Sequence, residues 1–290
     1  MSERKITVGV DNSAGSRRAV QWAAAEAVRT GRELVVVTAY DWHVAGARFQ
    51  VAGGYADDLR QVAEGVVQQA VEDAATHTPD VKVRGETVVG SAGPVLADSG
   101  PDDLVVVGNR GRGGFASLVL GSVGHHVATH ARGTVVIVRG RHDANTGPVV
   151  VGVDHGHGDA ALREAFEEAN TRGTSLLAVH AYQPVVVATG YGVYAPMEDK
   201  EQRRADELEA LHNAVGEWSA KYPDVAVEMA AVLGHPTEVL TDLSSTAQLI
   251  VVGHRATGFG HVGLGGIAAQ LLHHAHCPVM IVRTADERAQ

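Results

Sequence analysis

Cysteine is almost absent from this chain. Cys277 is the single one among 290 residues, so no intramolecular disulfide can form and a reducing compartment is expected. Long apolar runs are missing too. No stretch of eighteen apolar residues occurs, and the opening MSERKITVGVD passes directly into a strand-like run with no signal-peptide core. A cytoplasmic protein with no membrane partner is the expectation. Positive charge is in deficit, 24 Lys and Arg against 34 Asp and Glu for a net charge of −10, which argues against nucleic acid as a partner.

Metal-site signatures are also lacking. The 16 histidines include His126 and His130 four apart, and His273, His274 and His276 beside Cys277, but no C-x2-C pair or HExxH accompanies them. His130 and His276 stand just before the last strand of each half, where a helix C-terminus favours an imidazole. No metal-ligating side chains are therefore assigned. No Ser-His-Asp spacing suggests itself, so no catalytic residue is named and hydrolysis is not expected.

What is present suits a folded protein: 45% hydrophobic and 20% charged residues, in a chain long enough for two domains. The sequence is written twice. ITVGVD at 6–11 returns as VVVGVD at 149–154, and VVIVR at 135–139 returns as VMIVR at 279–283. Intermediate landmarks keep nearly the same offset, so a tandem duplication is expected, with domains at 1–140 and 147–290 joined by the polar RGRHDANTG.

Each copy alternates β-branched runs with helical patterns. LVVVTAY (34–40), VKVRGETVV (81–89) and LVVVGN (104–109) read as strands. SRRAVQWAAAEAV and the stretch from Tyr55 read as helices, the second with a stripe of Leu59, Val62, Val66 and Val67. Ser16 and Asp159 are the expected N-caps of the first helix in each copy. The alternation predicts an α/β fold: two tandem Rossmann-like open sandwiches, each a mostly parallel five-stranded sheet with helices on both faces. In such sheets ligands lie outside the carboxyl ends of the strands, at the switch point.

Residues 108–122, GNRGRGGFASLVLGS, follow one of those strands and lead into a helix-like segment. A glycine-rich turn there directs backbone N–H groups and a helix N-terminus at an anion, and phosphate fits. A Walker loop closes on Gly-Lys-Ser/Thr, whereas Gly121-Ser122 follows Leu120 and no lysine lies in the stretch, and DNSAGS after the first strand is not a dinucleotide fingerprint. What remains is Gly108-x2-Gly111-x9-Gly121-Ser122. With Asp11 closing the first strand and VVIVR closing the copy, the chain resembles the universal stress protein family in its tandem form, over essentially its whole length.

The resemblance implies binding of ATP, with magnesium as its companion ion. By position, Asp11 would meet the adenine or ribose edge, Gly9 and Ala39 would line the base pocket, and Gly108, Gly111, Gly121, Ser122 and Val123 would hold ribose and phosphates. Arg110 and Arg112 admit two readings, phosphate partner or solvated loop residue. The resemblance also implies a regulator in stress, dormancy or growth control with little or no hydrolysis. Two alternatives stay open, a slow ATPase and a ligand-free interaction module.

The second copy keeps Gly152, Asp154, Ala181 and Gly253, with Arg255 following, but Ala256 replaces the second motif glycine. Its closing pair is Gly265-Gly266, so the hydroxyl is lost. A weaker, different or empty site is expected there. The apolar segments 43–54 and 183–197 are expected to be loops beside the crevices. The last strand of each copy is expected to pair with its counterpart, making a lobe–lobe pseudo-dimer that associates further as a homodimer, because an unpaired apolar edge is hazardous.

Overall fold

The computed structural model describes residues 4–41, 55–111, 120–154, 158–184, 187–189, 192–194, 199–254 and 263–284. In the first lobe, β1 (Ile6–Gly9), α1 (Ala14–Thr30), β2 (Leu34–Tyr40), α2 (Tyr55–His77), β3 (Val83–Val89), α3 (Ala92–Ala97), β4 (Leu104–Gly108), α4 (Ser122–His130) and β5 (Thr134–Val138) follow in order. The second lobe repeats them as β6 (Val149–Gly152), α5 (Asp159–Arg172), β7 (Leu176–Tyr182), α6 (Lys200–Lys221), β10 (Val227–Leu233), α7 (Pro236–Leu243), β11 (Leu249–Gly253), α8 (Gly266–His274) and β12 (Val279–Val282). Between β7 and α6, β8 (Val187–Thr189) and β9 (Gly192–Tyr194) form an antiparallel pair in a segment that the sequence reads as irregular.

Apart from the β8–β9 pair, the strands within each lobe are parallel. β1 lies between β2 and β4, and β6 lies between β7 and β11, the arrangement that opens a crevice where the crossovers diverge. The two five-stranded sheets merge into one of ten strands, ordered β10-β7-β6-β11-β12-β5-β4-β1-β2-β3. The junction is antiparallel, pairing Val135 with Ile281, Val136 with Met280 and Ile137 with Val279, as the edge argument anticipates. β4, β5 and β12 bury nearly every side chain because helices cover both faces. One apolar cluster lies under α1, α2, α5 and α6, the other under α3, α4, α7 and α8, and each runs through both lobes.

Local chemistry sets the element ends. α1 and α5 both stop at a left-handed glycine, Gly31 (φ 68°) and Gly173 (φ 61°), whose N–H returns to the last helical carbonyls. The N-caps differ from the sequence expectation. Ser13, not Ser16, caps α1 by accepting from Ser16 N at 3.1 Å, and Gly158 precedes Asp159, which becomes the first residue of α5. Asp159 Oδ1 instead accepts from Trp218 Nε1 at 2.8 Å. On α2, Val62 is 60% exposed, and Ala63, Val67 and Ala74 are the buried positions, because the helix rests on β2 and β3 along a narrower face.

The lobes meet at more than the strands. Arg172 donates to Glu168 Oε2 at 2.8 Å and, across the lobes, to Glu26 Oε2 at 2.6 Å. All three side chains are at most 9% exposed. The connection at 139–147 is packed: Arg141 N donates to His276 O at 2.8 Å, and His142 Nε2 lies 3.3 Å from Gln21 Oε1.

Candidate functional site at the strand ends

The first-lobe crevice is a cleft of about 420 Å³. Nine of the ten first-lobe residues singled out from the sequence line it: Gly9, Asp11, Ala39, Gly108, Arg110, Gly111, Gly121, Ser122 and Val123. β1 delivers Gly9 and, just past its end, Asp11. β2 delivers Ala39, and β4 ends on Gly108. Arg112 lies outside the described residues.

None of Gly108, Gly111 and Gly121 is among the positive-φ residues, and close approach, not backbone angle, favours glycine at Gly108 and Gly111, whereas a Cβ on Gly121 would make ordinary contact at 3.6 Å. A Cβ on Gly108 would stand 2.5 Å from the carbonyl carbon and oxygen of Gly15, so the start of α1 packs main chain to main chain on the end of β4. A Cβ on Gly111 would lie 2.6 Å from Asp11 Oδ2. Asp11 is held in turn, its Oδ1 accepting from Ser13 N at 3.0 Å, while Ser13 Oγ donates to Arg110 O at 3.2 Å. The carboxylate and the glycine turn are thus parts of one hydrogen-bonded unit.

α4 begins at this turn. Gly121 N donates to Asn109 O at 2.9 Å, which returns the chain to the end of β4, and Gly121 serves as N-cap with no side chain to occupy the first-turn amides. The N–H groups of Ser122, Val123 and Gly124 have no partner within the helix and border the cleft, with the Ser122 hydroxyl beside them. Amides without an intrahelical partner, a hydroxyl and the positive end of the helix dipole suit an anion. The glycine cradle leaves space that side chains would fill, so the residues present fit a phosphate-bearing ligand.

Sequence reasoning missed part of the wall. Leu96 and Ala92 of α3, Leu120, Val37 and Val107 supply an apolar floor. A Cβ at Gly9 would collide with Leu96 Cδ1, so that glycine lets α3 sit against β1. The signal available was the short apolar stretch after Gly90, which has no helical period long enough to read.

In the second lobe Gly152, Asp154, Ala181, Gly253, Gly265 and Gly266 occupy the equivalent strand and helix ends, whereas Arg255 and Ala256 lie outside the described residues. The surroundings differ. Thr38 Oγ1 donates to Val10 O at 2.8 Å in the first lobe, and the equivalent carbonyl, Val153 O, faces His180 Nδ1 at 2.9 Å. A Cβ on Gly253 would meet nothing within 4 Å among the described residues, so the close approach seen at Gly108 has no counterpart among them.

Among the described residues no group of three or more His, Cys, Asp or Glu is placed to hold a metal ion, and no helix is long and apolar enough to cross a membrane. His126 and His130 stack at 4.3 Å on α4, and burial together with neighbouring histidines holds the His126 imidazole below its ordinary pKa.

Two α/β lobes with the same order of parallel strands, the first with a cleft at its strand ends, define a duplicated α/β protein. The universal stress protein family model matches residues 3–139 and again 145–283, and the chain belongs to that family. A universal stress protein of Mycobacterium tuberculosis H37Rv is 31% identical, covering 98% of this chain and 96% of its own. One from Mycolicibacterium smegmatis is 32% identical, with 97% and 98% covered. Among solved structures, a universal stress protein from Archaeoglobus fulgidus superposes with a TM-score of 0.72 at 17% identity, covering 98% of this chain and 99% of that one, which shows the shared fold.

Proposed function

We propose that the first lobe binds an adenine nucleotide, ATP with its magnesium, and that the protein acts as a nucleotide-dependent regulator in stress, dormancy or growth control rather than as an enzyme. One observation carries this reading: Asp11, the glycine turn and the α4 amides converge on a single cleft with an apolar floor. The floor of Val37, Leu96 and Val107 suits a flat base, and the carboxylate of Asp11 suits hydroxyl or amino donors. The amides of Ser122 to Gly124 suit phosphate oxygens. Arg110 adds a positive charge at the same wall. Magnesium would neutralise phosphate charge, and the chain's own residues bind, orient and partly desolvate the nucleotide.

The second lobe is proposed to bind more weakly or not at all. Gly266 lacks the hydroxyl that Ser122 offers, a loss worth about 0.5–1.5 kcal/mol net for one hydrogen bond. The proposal includes domains divided at 140 and 147, a cytoplasmic setting and a homodimer of the two-lobed chain.

The test is to denature the purified protein and analyse the released small molecules by ultraviolet absorbance and mass. Adenine nucleotide, either retained from the cell or taken up from added MgATP, is the expected result. No uptake at millimolar MgATP would overturn the reading and favour a ligand-free interaction module. Sustained release of ADP under turnover would favour a slow ATPase.

A further inference from the structure

Each lobe ends its last strand on an arginine, Arg139 after β5 and Arg283 after β12, and both side chains leave their own lobe. Arg139 donates to the carbonyls of Leu271 (3.0 Å), Leu272 (2.6 Å) and His273 (3.0 Å) at the C-terminal end of α8. Arg283, 6% exposed, donates to Ala128 O at 3.0 Å near the C-terminal end of α4. The exchange follows from the junction. Because β5 and β12 run antiparallel, the end of one lies beside the start of the other, which each lobe's last helix has just left. The last carbonyls of a helix lack intrahelical partners and carry the negative end of its dipole, so a guanidinium is well matched to them.

The opposite ends of these two helices lie at Gly121-Ser122, which borders the first-lobe cleft, and at the equivalent Gly265-Gly266. α4 presents Ser122, Val123 and Gly124 to the first-lobe cleft and, nine residues long, spans about 13 Å at 1.5 Å per residue. A hold at Ala128 therefore restrains the same rigid body that carries the anion-facing amides. We infer that Arg283 of the second lobe is a positioning residue for the first-lobe cleft, so that the lobe with the altered motif sets the ligand affinity of the other by bracing α4 from behind. The inference rests on the nucleotide reading of that cleft, but the brace itself can be tested without ligand. Linkage makes the effect reciprocal: nucleotide at the α4 N-terminus tightens the seam at its C-terminus.

The experiment uses the full chain with Arg283→Gln, Arg283→Lys and, as the mirror variant, Arg139→Gln. Hydrogen exchange is followed in nucleotide-free protein over 122–130 and 266–274, and MgATP affinity is measured by calorimetry well below the melting transition. Arg283→Gln is expected to speed exchange over 122–130 while sparing 266–274, and to weaken MgATP about 5- to 30-fold, the lower part of the usual range of coupling between sites. Arg283→Lys, which keeps a donor, recovers most of both. Arg139→Gln speeds exchange over 266–274 instead. Equal loosening of both helices, unchanged exchange over 122–130, or full MgATP affinity in Arg283→Gln would each overturn the inference. If the unsubstituted chain takes up no nucleotide, the proposed function fails, and the contrast between the two helices still decides the brace.

Discussion

Gly111 faces the Asp11 carboxylate so closely that a single added methyl carbon would stand 2.6 Å from Oδ2. The carboxylate has little room to retreat, because its other oxygen accepts from Ser13 N. Gly111→Leu is therefore expected to displace Asp11 and crowd the cleft, lowering adenine nucleotide affinity at least tenfold while the fold survives. Calorimetric titration with MgATP, beside a circular dichroism spectrum, checks both halves of that statement. Unchanged affinity would remove Gly111 from the site.

Gly108 and Gly253 occupy equivalent strand ends but answer differently to the same change. At Gly108 an alanine would press on the main chain of Gly15, whereas at Gly253 it would meet open space among the described residues. Gly108→Ala is expected to cost roughly 1–3 kcal/mol, the range for forced overpacking. Gly253→Ala should stay within about 1 kcal/mol of the parent. Urea unfolding of the two variants measures the difference directly, and equal costs would mean that the close approach at Gly15 relaxes freely.

Glu168 supplies a pH dependence. Burial foremost, then the nearby Glu26 carboxylate, push its carboxyl up to about 7 from 4.5, against the pull of Arg172. The folded state thus keeps a proton that the unfolded chain has released. Its contribution to stability is complete below about pH 4.5 and is lost as pH rises through about 7. Glu168→Gln, which keeps an oxygen to accept from Arg172, is expected to flatten the decline between those values. Unfolding free energies measured from pH 5 to 8 test the sign, and a parent that gains stability with pH while the variant does not would reverse the assignment.

Cys277 is fully buried, and burial pushes its thiol up to about 12. Thiolate is the reactive form, so a disulfide reagent at pH 8 is expected to label the native protein only as fast as it opens, and at once in denaturant. Cys277→Ser, placing a hydroxyl among apolar neighbours of the second core cluster, should cost about 1–3 kcal/mol. Prompt labelling of native protein would show that the strand start is open to solvent.

Much of the site was legible because it is made of main chain. Gly108-x2-Gly111-x9-Gly121-Ser122 marks where backbone must come close, and that spacing survives in one dimension. The apolar floor was not legible, since Leu96 and Ala92 belong to a six-residue helix too short to show a period and reach the cleft only by packing against Gly9. The caps failed for a related reason. Ser13 and Ser16 are equally good capping residues in sequence, and Asp11 and Arg110 decide between them by anchoring Ser13 from two directions. Val62 looked apolar and helical, which it is, but the width of the covered face is a property of the sheet beneath.

From residue order alone came the duplication, the alternation of strands and helices, and the glycine turn at a strand end, because periodicity and backbone freedom are local properties. The tertiary structure alone decided that the expected pairing of β5 with β12 is antiparallel, that Arg172 joins Glu26 to Glu168 across the lobes, and that Arg139 and Arg283 each cross to the other lobe's last helix. The contacts between the lobes join residues 132 to 155 apart in the chain or depend on which way two edges meet, and the meeting of β5 and β12 buries both apolar edges at once.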